Sequence, residues 1–249
     1  MIDIHTHILP GIDDGAADVS AAAELIRMEA EQGVKEIVFT PHYYGKQTVE
    51  TFLAHRTQAK QSIEEYIPRT LKVRCGAEIL LTGVNDPSNE TICSLAIEGT
   101  QCVIFELPFV SRWSERLFDK IADFIEETGY TPIIAHIERY ETVLENPSIV
   151  TYLAQMGCLI QINTHAFLDK KTRRFALALM KHGLAHCIGT DAHDPVKRAP
   201  DYAAAKSVVY RKKRGDEFRN AQWCMKKILA GEALRNPFGK VRKIGRYYF

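Results

Sequence analysis

Two histidines separated by one residue stand near the start of the chain and could bind a metal ion. Residues 2–7 alternate apolar and polar side chains, which predicts a strand with Asp3, His5 and His7 on one face. Two imidazoles on the same face of a strand can reach one ion. A lone His-x-His also fits two strand histidines held by hydrogen bonds, so its meaning depends on the rest of the chain.

Further imidazoles and carboxylates follow the ends of the later predicted strands. They are His42, Glu78, Glu106, His136, Asp191 and His193. The loop after the first strand adds two neighbouring carboxylates, Asp13 and Asp14. In a parallel α/β barrel the carboxyl ends of all strands lie at one rim, where catalytic residues gather. These side chains are therefore predicted to meet at a single site.

Short apolar segments that alternate with helical segments must position this site. The predicted strands are residues 2–7, 35–40, 71–77, 101–105, 131–135, 158–163 and 184–190. The predicted helices lie at about 20–32, 48–66, 90–98, 114–128, 147–156, 170–181, 201–210 and 216–230. This alternation indicates a parallel sheet covered by helices, and seven repeated units favour a barrel over an open sheet.

The composition is that of a globular protein, and we expect residues 1–249 to form one domain with a short basic tail. Lysine and arginine number 32 against 31 acidic residues, and this balance does not support nucleic-acid binding. The six cysteines are dispersed without a Cys-x-x-Cys pair, a pattern typical of a reducing compartment. Neither a signal peptide nor a membrane-spanning segment is recognisable, so a cytoplasmic location is expected. The tail cations are Lys240, Arg242, Lys243 and Arg246.

The ligand types suggest several metal ions. Imidazole and carboxylate without thiolate suit zinc, manganese or iron rather than a structural cysteine-rich zinc site. Five histidines, three carboxylates and a loop aspartate exceed the needs of one ion, so two or three ions are expected. Clustered ions can lower the pKa of water and hold a phosphoryl group from both sides.

Six stretches resemble the PHP (polymerase and histidinol phosphatase) superfamily, and within it the CpsB/YwqE-type bacterial protein-tyrosine phosphatases of capsule and exopolysaccharide operons. The stretches are residues 1–15, 40–42, 76–78, 105–108, 136–140 and 189–193. The resemblance implies a distorted seven-stranded (β/α) TIM-like barrel of the PHP type. It also implies three divalent metal ions, commonly manganese, with iron, zinc, cobalt or magnesium as alternatives.

The resemblance also assigns roles by position. The first metal ion would be held by His5, His7, Glu78 and Asp191. A second, bridged by Glu78, would be completed by Glu106 and His136, and a third would be held by Asp14, His42 and His193. The residues alone do not distinguish Asp13 from Asp14; the resemblance selects Asp14. Arg139 and Arg198 match positions that bind phosphate, and a guanidinium pairs bidentately with phosphate oxygens.

The implied function is metal-dependent hydrolysis of phosphotyrosine, in which activated hydroxide attacks phosphorus. The expected partner is a phosphotyrosine protein, namely a bacterial tyrosine kinase that controls polysaccharide export; the oligomeric state is open. A phenol leaves easily because its pKa is near 10. A cysteine-dependent mechanism is not supported, since no arginine follows Cys93 at the Cys-x5-Arg spacing. Histidinol-phosphate phosphatase, another PHP phosphoesterase and a non-catalytic metal-bound scaffold are the alternatives.

Residues after the second and sixth predicted strands have two interpretations each. Asn163 and His165 follow strand six, where they could either line the substrate pocket or pack locally. Tyr43 and Tyr44 follow His42 and could either stack on a substrate ring or pack their loop.

Overall fold

Parallel strands alternate with helices along most of the chain. A computed structural model describes residues 1–84, 86–232, 234, 239–244 and 247–248. The strands are β1 Ile2–Thr6, β2 Glu36–Phe39, β3 His42–Tyr43, β4 Lys72–Cys75, β5 Glu78–Leu80, β6 Cys102–Glu106, β7 Thr131–Ile134, β8 Leu159–Asn163, β9 Cys187–Gly189, β10 Lys243–Ile244 and β11 Tyr247–Tyr248. The helices are α1 Val19–Glu31, α2 Val49–Ser62, α3 Asn89–Ser94, α4 Glu115–Thr128, α5 Glu141–Glu145, α6 Ser148–Gln155, α7 Arg173–Lys181, α8 Tyr202–Arg211 and α9 Gly215–Leu229.

The α/β architecture of parallel strands is confirmed, but its strands form two sheets. One sheet has the order β1-β2-β4, and the other has the order β3-β5-β6-β7-β8-β9. All neighbours in both sheets are parallel. An isolated parallel bridge between Thr6 and Ala192 links the first strand to the segment that follows β9.

The second and third predicted strands are each followed by a further short strand that the sequence did not predict. Thr40-Pro41 separates β2 from β3, and Gly76-Ala77 separates β4 from β5. Pro41 has no N–H to donate, so the regular hydrogen-bond ladder is interrupted there. The amides of Gly76 and Glu78 still donate to the carbonyls of Phe39 and Pro41, which keeps the two chain segments side by side.

The core lies between the strands and the helices that cover them. Every residue of β6 and β8 is buried, as expected for parallel strands packed on both faces. Helix α4 contributes a buried stripe of Leu117, Ile121 and Phe124 at helical spacing, and it ends at Gly129 in the left-handed conformation. The helix predicted at 114–128 is therefore confirmed.

The C-terminal tail, expected to be short and basic, contains two short strands. Strands β10 and β11 pair antiparallel. The amide of Val241 donates to Thr151 Oγ1 at 3.2 Å, and Lys243 Nζ lies 2.5 Å from the Leu144 carbonyl, so the tail packs against α5 and α6. Lys240 and Arg242 are exposed, whereas Arg246 lies outside the described residues.

Among the described residues, no helix is both long enough and apolar enough to cross a membrane.

Candidate metal centre

His5 and His7 are buried and direct ring nitrogens at a shared point. Their Nε2 atoms are 3.1 Å apart. Each of these atoms lies 3.2 Å from Glu78 Oε2, and Asp191 Oδ1 is 3.4 Å from His7 Nε2. Glu78 begins β5, and Asp191 follows β9, so three chain segments bring these four side chains together. The structure thus gathers the residues expected to hold a first ion.

A second group of potential ligands lies on the outer side of His7. His7, Asp14, His42 and His193 each offer one ligand atom, and these atoms lie within 4.8 Å of one another. Asp14 Oδ1 is 3.4 Å from His42 Nε2 and 3.5 Å from His193 Nε2. The residues expected to hold a third ion are therefore close together, with His7 beside them.

Glu106 and His136 complete the cluster on its opposite side. His136 Nε2 is 2.8 Å from Glu78 Oε1 and 3.5 Å from Glu106 Oε1. His42 also approaches these carboxylates and forms a third potential ligand group with Glu78 and Glu106. Glu78 therefore belongs to two of the three groups and also contacts His136, as a bridging ligand would need to do.

The backbone is unusual at two of these positions. His136 has φ of 33° and Asp191 has φ of 55°, so both occupy the left-handed region that side-chain-bearing residues seldom adopt. Such backbone strain is concentrated at functional sites, where the surrounding structure maintains it. At the ends of β7 and β9 it directs an imidazole and a carboxylate into the cluster.

Asp13 and Asp14 have different environments. Asp13 Oδ2 accepts hydrogen bonds from His7 Nδ1 at 2.7 Å and from the His42 amide at 2.9 Å, and its Oδ1 accepts from the Gly15 amide. Asp14 is exposed and faces the Nε2 atoms of His42 and His193. Asp13 thus orients His7, while Asp14 is the carboxylate free to contact an ion.

Electrostatics keep some of these groups in the forms that bind metals, whereas Asp13 and Glu78 outweigh burial and raise the pKa of His7 to about 10, so that His7 would have to release a proton to bind an ion. Burial, together with the nearby charge of His7, lowers the pKa of His42 to about 4 and that of His193 to about 3. Burial tends to raise the pKa of Asp191, but the neighbouring histidines outweigh it and hold this pKa below its usual range. Neutral imidazole and ionised carboxylate are the ligand forms of these side chains.

The donor set fits divalent metal ions. Within the described part of the chain, Glu78 Oε2, His42 Nδ1 and His193 Nε2 are buried and make no hydrogen bond of regular geometry, although Glu78 Oε2 lies 3.0 Å from His42 Nδ1. Buried polar atoms normally have partners, and a ligating ion would satisfy these three. The surrounding oxygen and nitrogen ligands suit manganese, iron or zinc.

Two arginines reach the same carboxylate from outside the cluster. Arg139 Nη1 is 3.1 Å and Arg198 Nη2 is 2.9 Å from Asp191 Oδ2. Both guanidinium groups are partly exposed and line a cavity of about 730 Å³ that also borders Asp191, Asn163 and His165. The expected phosphate-binding residues therefore lie beside the cluster at the edge of an open cavity.

Asn163 and Tyr44 lie at the site, whereas His165 and Tyr43 make other contacts. Asn163 Nδ2 donates to Asp191 Oδ2 at 2.9 Å, whereas His165 is mostly exposed and pairs with Asp201. Tyr43 is buried against Phe52, but Tyr44 is exposed and stacks on His42 with ring centroids 4.8 Å apart.

Two residues at the site escaped the sequence analysis. Gln161 Oε1 accepts from the His136 amide at 2.5 Å and lies 3.3 Å from His5 Nδ1. Phe109 stacks on His136 with ring centroids 5.7 Å apart. The available signals were a polar side chain at alternate spacing from Asn163 within an apolar strand, and an aromatic residue just after Glu106.

Known proteins resemble this chain in sequence over most of its length. The model of the family described as capsular polysaccharide synthesis, CpsB/CapC, matches residues 1–227. The chain is 34% identical to tyrosine-protein phosphatase YwqE of Bacillus subtilis over 226 residues, which cover 87% of this chain and 86% of the relative. It is 29% identical to tyrosine-protein phosphatase CpsB of Streptococcus pneumoniae, with coverage of 85% and 90%.

A solved structure from the same group of phosphatases also resembles this chain. A crystal structure from work on YwqE of Bacillus subtilis and CpsB of Streptococcus pneumoniae, described as unique metal-dependent tyrosine phosphatases, matches with a TM-score of 0.82. The identity is 27%, and the match covers 98% of this chain and 100% of that one. The lactonase Lmo2620 of Listeria monocytogenes matches with a TM-score of 0.55 at 13% identity over 94% and 95% of the two chains, which is a likeness of fold alone.

Proposed function

Because the chain belongs to the CpsB/CapC family of capsular polysaccharide synthesis, we propose that it is a metal-dependent protein-tyrosine phosphatase. The observation that carries this proposal is the convergence of buried imidazoles and carboxylates beside two arginines that share Asp191. The curated relatives and the matched crystal structure are tyrosine phosphatases, which supports the same reaction here.

The residues that would hold the metal ions are those gathered at the strand ends. We assign His5, His7, Glu78 and Asp191 to one ion, Glu78, Glu106 and His136 to a second, and Asp14, His42 and His193 to a third. Three ions and manganese remain proposals. When bound, divalent ions would lower the pKa of water and offset negative charge on phosphate oxygens.

The protein side chains would bind and orient the phosphate. Arg139 and Arg198 both contact Asp191 Oδ2, so an arriving phosphate dianion can replace this carboxylate oxygen as the partner of either guanidinium. Guanidinium groups remain charged at any pH that the enzyme meets, and their planar forks match phosphate oxygens. Their charge would also stabilise the transferring phosphoryl group, while a tyrosine phenol leaves with little help from an acid.

We also propose that the two sheets form the seven-stranded barrel of the PHP type. If β2 with β3 and β4 with β5 are each counted as one interrupted strand, there are seven parallel strands. The Thr6–Ala192 bridge and the bond from the His7 amide to the Ala192 carbonyl, at 2.8 Å, support contact between the first and last of them.

The biological setting is proposed from the family. The substrate would be a phosphorylated bacterial tyrosine kinase of a capsule or exopolysaccharide system, in the cytoplasm. The organisation of residues 1–249 as one domain and the absence of a nucleic-acid partner also stay predictions.

A parallel assay tests the function. Purified protein loaded with Mn²⁺ would be supplied with a phosphotyrosine peptide, histidinol phosphate and single-stranded DNA, and elemental analysis would record its metal content. We expect kcat/KM to be highest for the phosphotyrosine peptide and activity to disappear after chelation. Preference for histidinol phosphate would identify a different phosphoesterase, and metal binding without turnover of any substrate would identify a scaffold.

A further inference from the structure

The loop after β6 places an aromatic ring between the metal cluster and a phosphate-binding arginine. Phe109 is 52% exposed, and its ring stacks on His136 at an interplanar angle of 21°. The guanidinium of Arg139 lies over the same ring, 5.0 Å from its centroid. Phe109 also lines the 730 Å³ cavity together with Arg139 and Arg198. A group bound next to the phosphate in this cavity would therefore meet the exposed part of Phe109.

We propose that Phe109 forms one wall of a subsite for the aryl group of a phosphate monoester. The inference rests on the proposed function, because it requires phosphate to bind at Arg139 and Arg198. In an aryl phosphate the ring is bonded directly to the ester oxygen, so it lies next to the phosphate. An alkyl phosphate such as phosphoserine has a narrow methylene group there. Only the aryl ester can make an aromatic contact with Phe109.

The exposed Tyr44 is less well placed for this role. It stacks on His42 and borders a separate cavity of about 460 Å³. None of the described residues that line this second cavity is an arginine. The aromatic ring adjacent to a phosphate-binding guanidinium is therefore that of Phe109.

Binding of non-hydrolysable analogues tests the subsite without turnover. Calorimetry on the Mn²⁺-loaded protein would compare phenylphosphonate with methylphosphonate. We expect wild type to bind phenylphosphonate about 5- to 10-fold more tightly, and Phe109→Leu to lose this preference while binding methylphosphonate normally. Phe109→Tyr should retain the preference. Phe118→Leu, the same change in an aromatic cluster outside the site, is the matched control and should behave like wild type.

Two outcomes would overturn the subsite. Equal weakening of both ligands by Phe109→Leu would mean that the ring acts only through Arg139 or His136, and an unchanged preference would mean that it does not contact the aryl group. Failure of wild type to hydrolyse phosphotyrosine would refute the proposed function, while the binding comparison would still decide the role of Phe109.

A second, independent observation concerns β8, which supplies none of the proposed ligands but contacts three of them. Gln161 Oε1 faces His5 Nδ1 and the His136 amide, and Gln161 Nε2 donates to Asn163 Oδ1 at 2.9 Å. Asn163 Nδ2 in turn donates to Asp191 Oδ2 at 2.9 Å. Gln161 is fully buried and Asn163 is 7% exposed.

The His136 amide determines which atoms donate and which accept in this series of hydrogen bonds. The His136 backbone amide can only donate, so the Gln161 atom that faces it must be the carbonyl oxygen. His5 Nδ1 must then carry a proton that it donates to the same oxygen, so Nε2, which faces Glu78, is the His5 nitrogen that could bind an ion. We infer that Gln161 and Asn163 are positioning residues that set the tautomer of His5 and the orientation of Asp191.

Metal affinity tests this inference without substrate. A chelating dye would compete with the protein for Mn²⁺, and Tm would be measured in EDTA. We expect Gln161→Leu to weaken Mn²⁺ binding about 10- to 100-fold. Gln161→Glu preserves the acceptor for His5 but loses the donation to Asn163 Oδ1, so it should recover only part of the affinity. Gln222→Leu removes a half-buried glutamine that bonds Ile2 and Tyr202 away from the cluster, and it should leave the affinity unchanged.

Two results of the Gln161 substitutions would contradict the positioning role. Wild-type affinity in Gln161→Leu would overturn the positioning role. Equal losses in the Leu and Glu variants would also overturn it, because they would point to packing rather than to the acceptor atom.

Discussion

Asp13 and Asp14 are adjacent in the chain but make different contacts. Both oxygens of Asp13 accept hydrogen bonds from protein groups, whereas Asp14 is exposed and faces two imidazole nitrogens. Sequence could not separate them, because both lie in one loop and have the same chemistry. The direction of each side chain depends on the path of that loop past His7 and His42.

This difference predicts distinct effects on metal binding. Asp14→Asn should lower the bound metal by about one equivalent, because it removes a charged ligand. Asp13→Asn should retain the stoichiometry but weaken affinity about 10- to 100-fold, since His7 loses its carboxylate partner. Elemental analysis after gel filtration and titration with Mn²⁺ would measure the two quantities. Identical behaviour of the two variants would contradict the assignment.

Substitution of Arg139 and Arg198 tests their proposed role in binding phosphate. Arg139→Ala or Arg198→Ala should lower kcat/KM for a phosphotyrosine peptide by about 10²- to 10³-fold, because each removes a donor that stabilises the transferring group. Metal content should not change. Lysine at either position should restore little activity, since an ammonium cannot make the bidentate contact. Steady-state kinetics with metal analysis would decide, and unchanged kinetics in both alanine variants would exclude a role in binding phosphate.

At the scale of elements, the ends of several strands bring potential ligands to one site, and neighbouring strands orient them. The register of β3 with β5 pairs His42 with Glu78. The side-chain amides of Gln161 and Asn163 in β8 form hydrogen bonds with potential ligands from β1 and from the segments that follow β7 and β9. Sequence periodicity located most strands within two or three residues. It missed the short strands β3 and β5, because an apolar pattern does not report local hydrogen bonding.

The contact between β8 and β9 should depend on pH through a buried histidine. Burial lowers the pKa of His186 to about 4, and its Nδ1 accepts the Ile160 amide at 2.9 Å. Below pH 6.5 the unfolded chain gains a proton at this residue that the folded protein does not accept, so stability falls as pH decreases from about 6.5 to about 4. The contribution is on the order of 3 kcal/mol.

Urea unfolding of metal-free protein at pH 7 and pH 5 would measure this effect. His186→Gln, which keeps an acceptor but does not titrate, should reduce the difference in unfolding free energy between the two pH values. An unaltered difference would show that other groups cause the pH dependence.

At the scale of the whole molecule, the cluster joins distant parts of the chain. Its potential ligands range from His5 to His193, and the carboxylates of Glu78, Glu106 and Asp191 are all buried. Burial and the charge of Glu78 raise the pKa of Glu106 to about 7, which shows how poorly the metal-free site accommodates another negative charge. Divalent ions would neutralise this charge and stabilise the fold.

Metal removal should therefore lower stability as well as activity. At a free Mn²⁺ concentration 100 times Kd, binding adds about 2.7 kcal/mol, which corresponds to a rise in Tm of about 5 to 10 °C for a chain of this size. Thermal unfolding in EDTA and after addition of Mn²⁺ would measure the shift. Equal Tm values, with no activity regained on addition of Mn²⁺, would contradict a metal centre.

Sequence alone determined the alternation of strands and helices and the residue types at the strand ends, because apolar periodicity and ligand chemistry are local properties. It therefore identified the imidazoles and the carboxylates, whereas the two arginines were assigned from the resemblance to the PHP superfamily. Only the tertiary structure decided the contacts of Asp13, the series of hydrogen bonds through Gln161 and Asn163, and the position of Phe109 beside Arg139. These depend on distances between residues far apart in the chain, which strand register, loop path and backbone strain determine together.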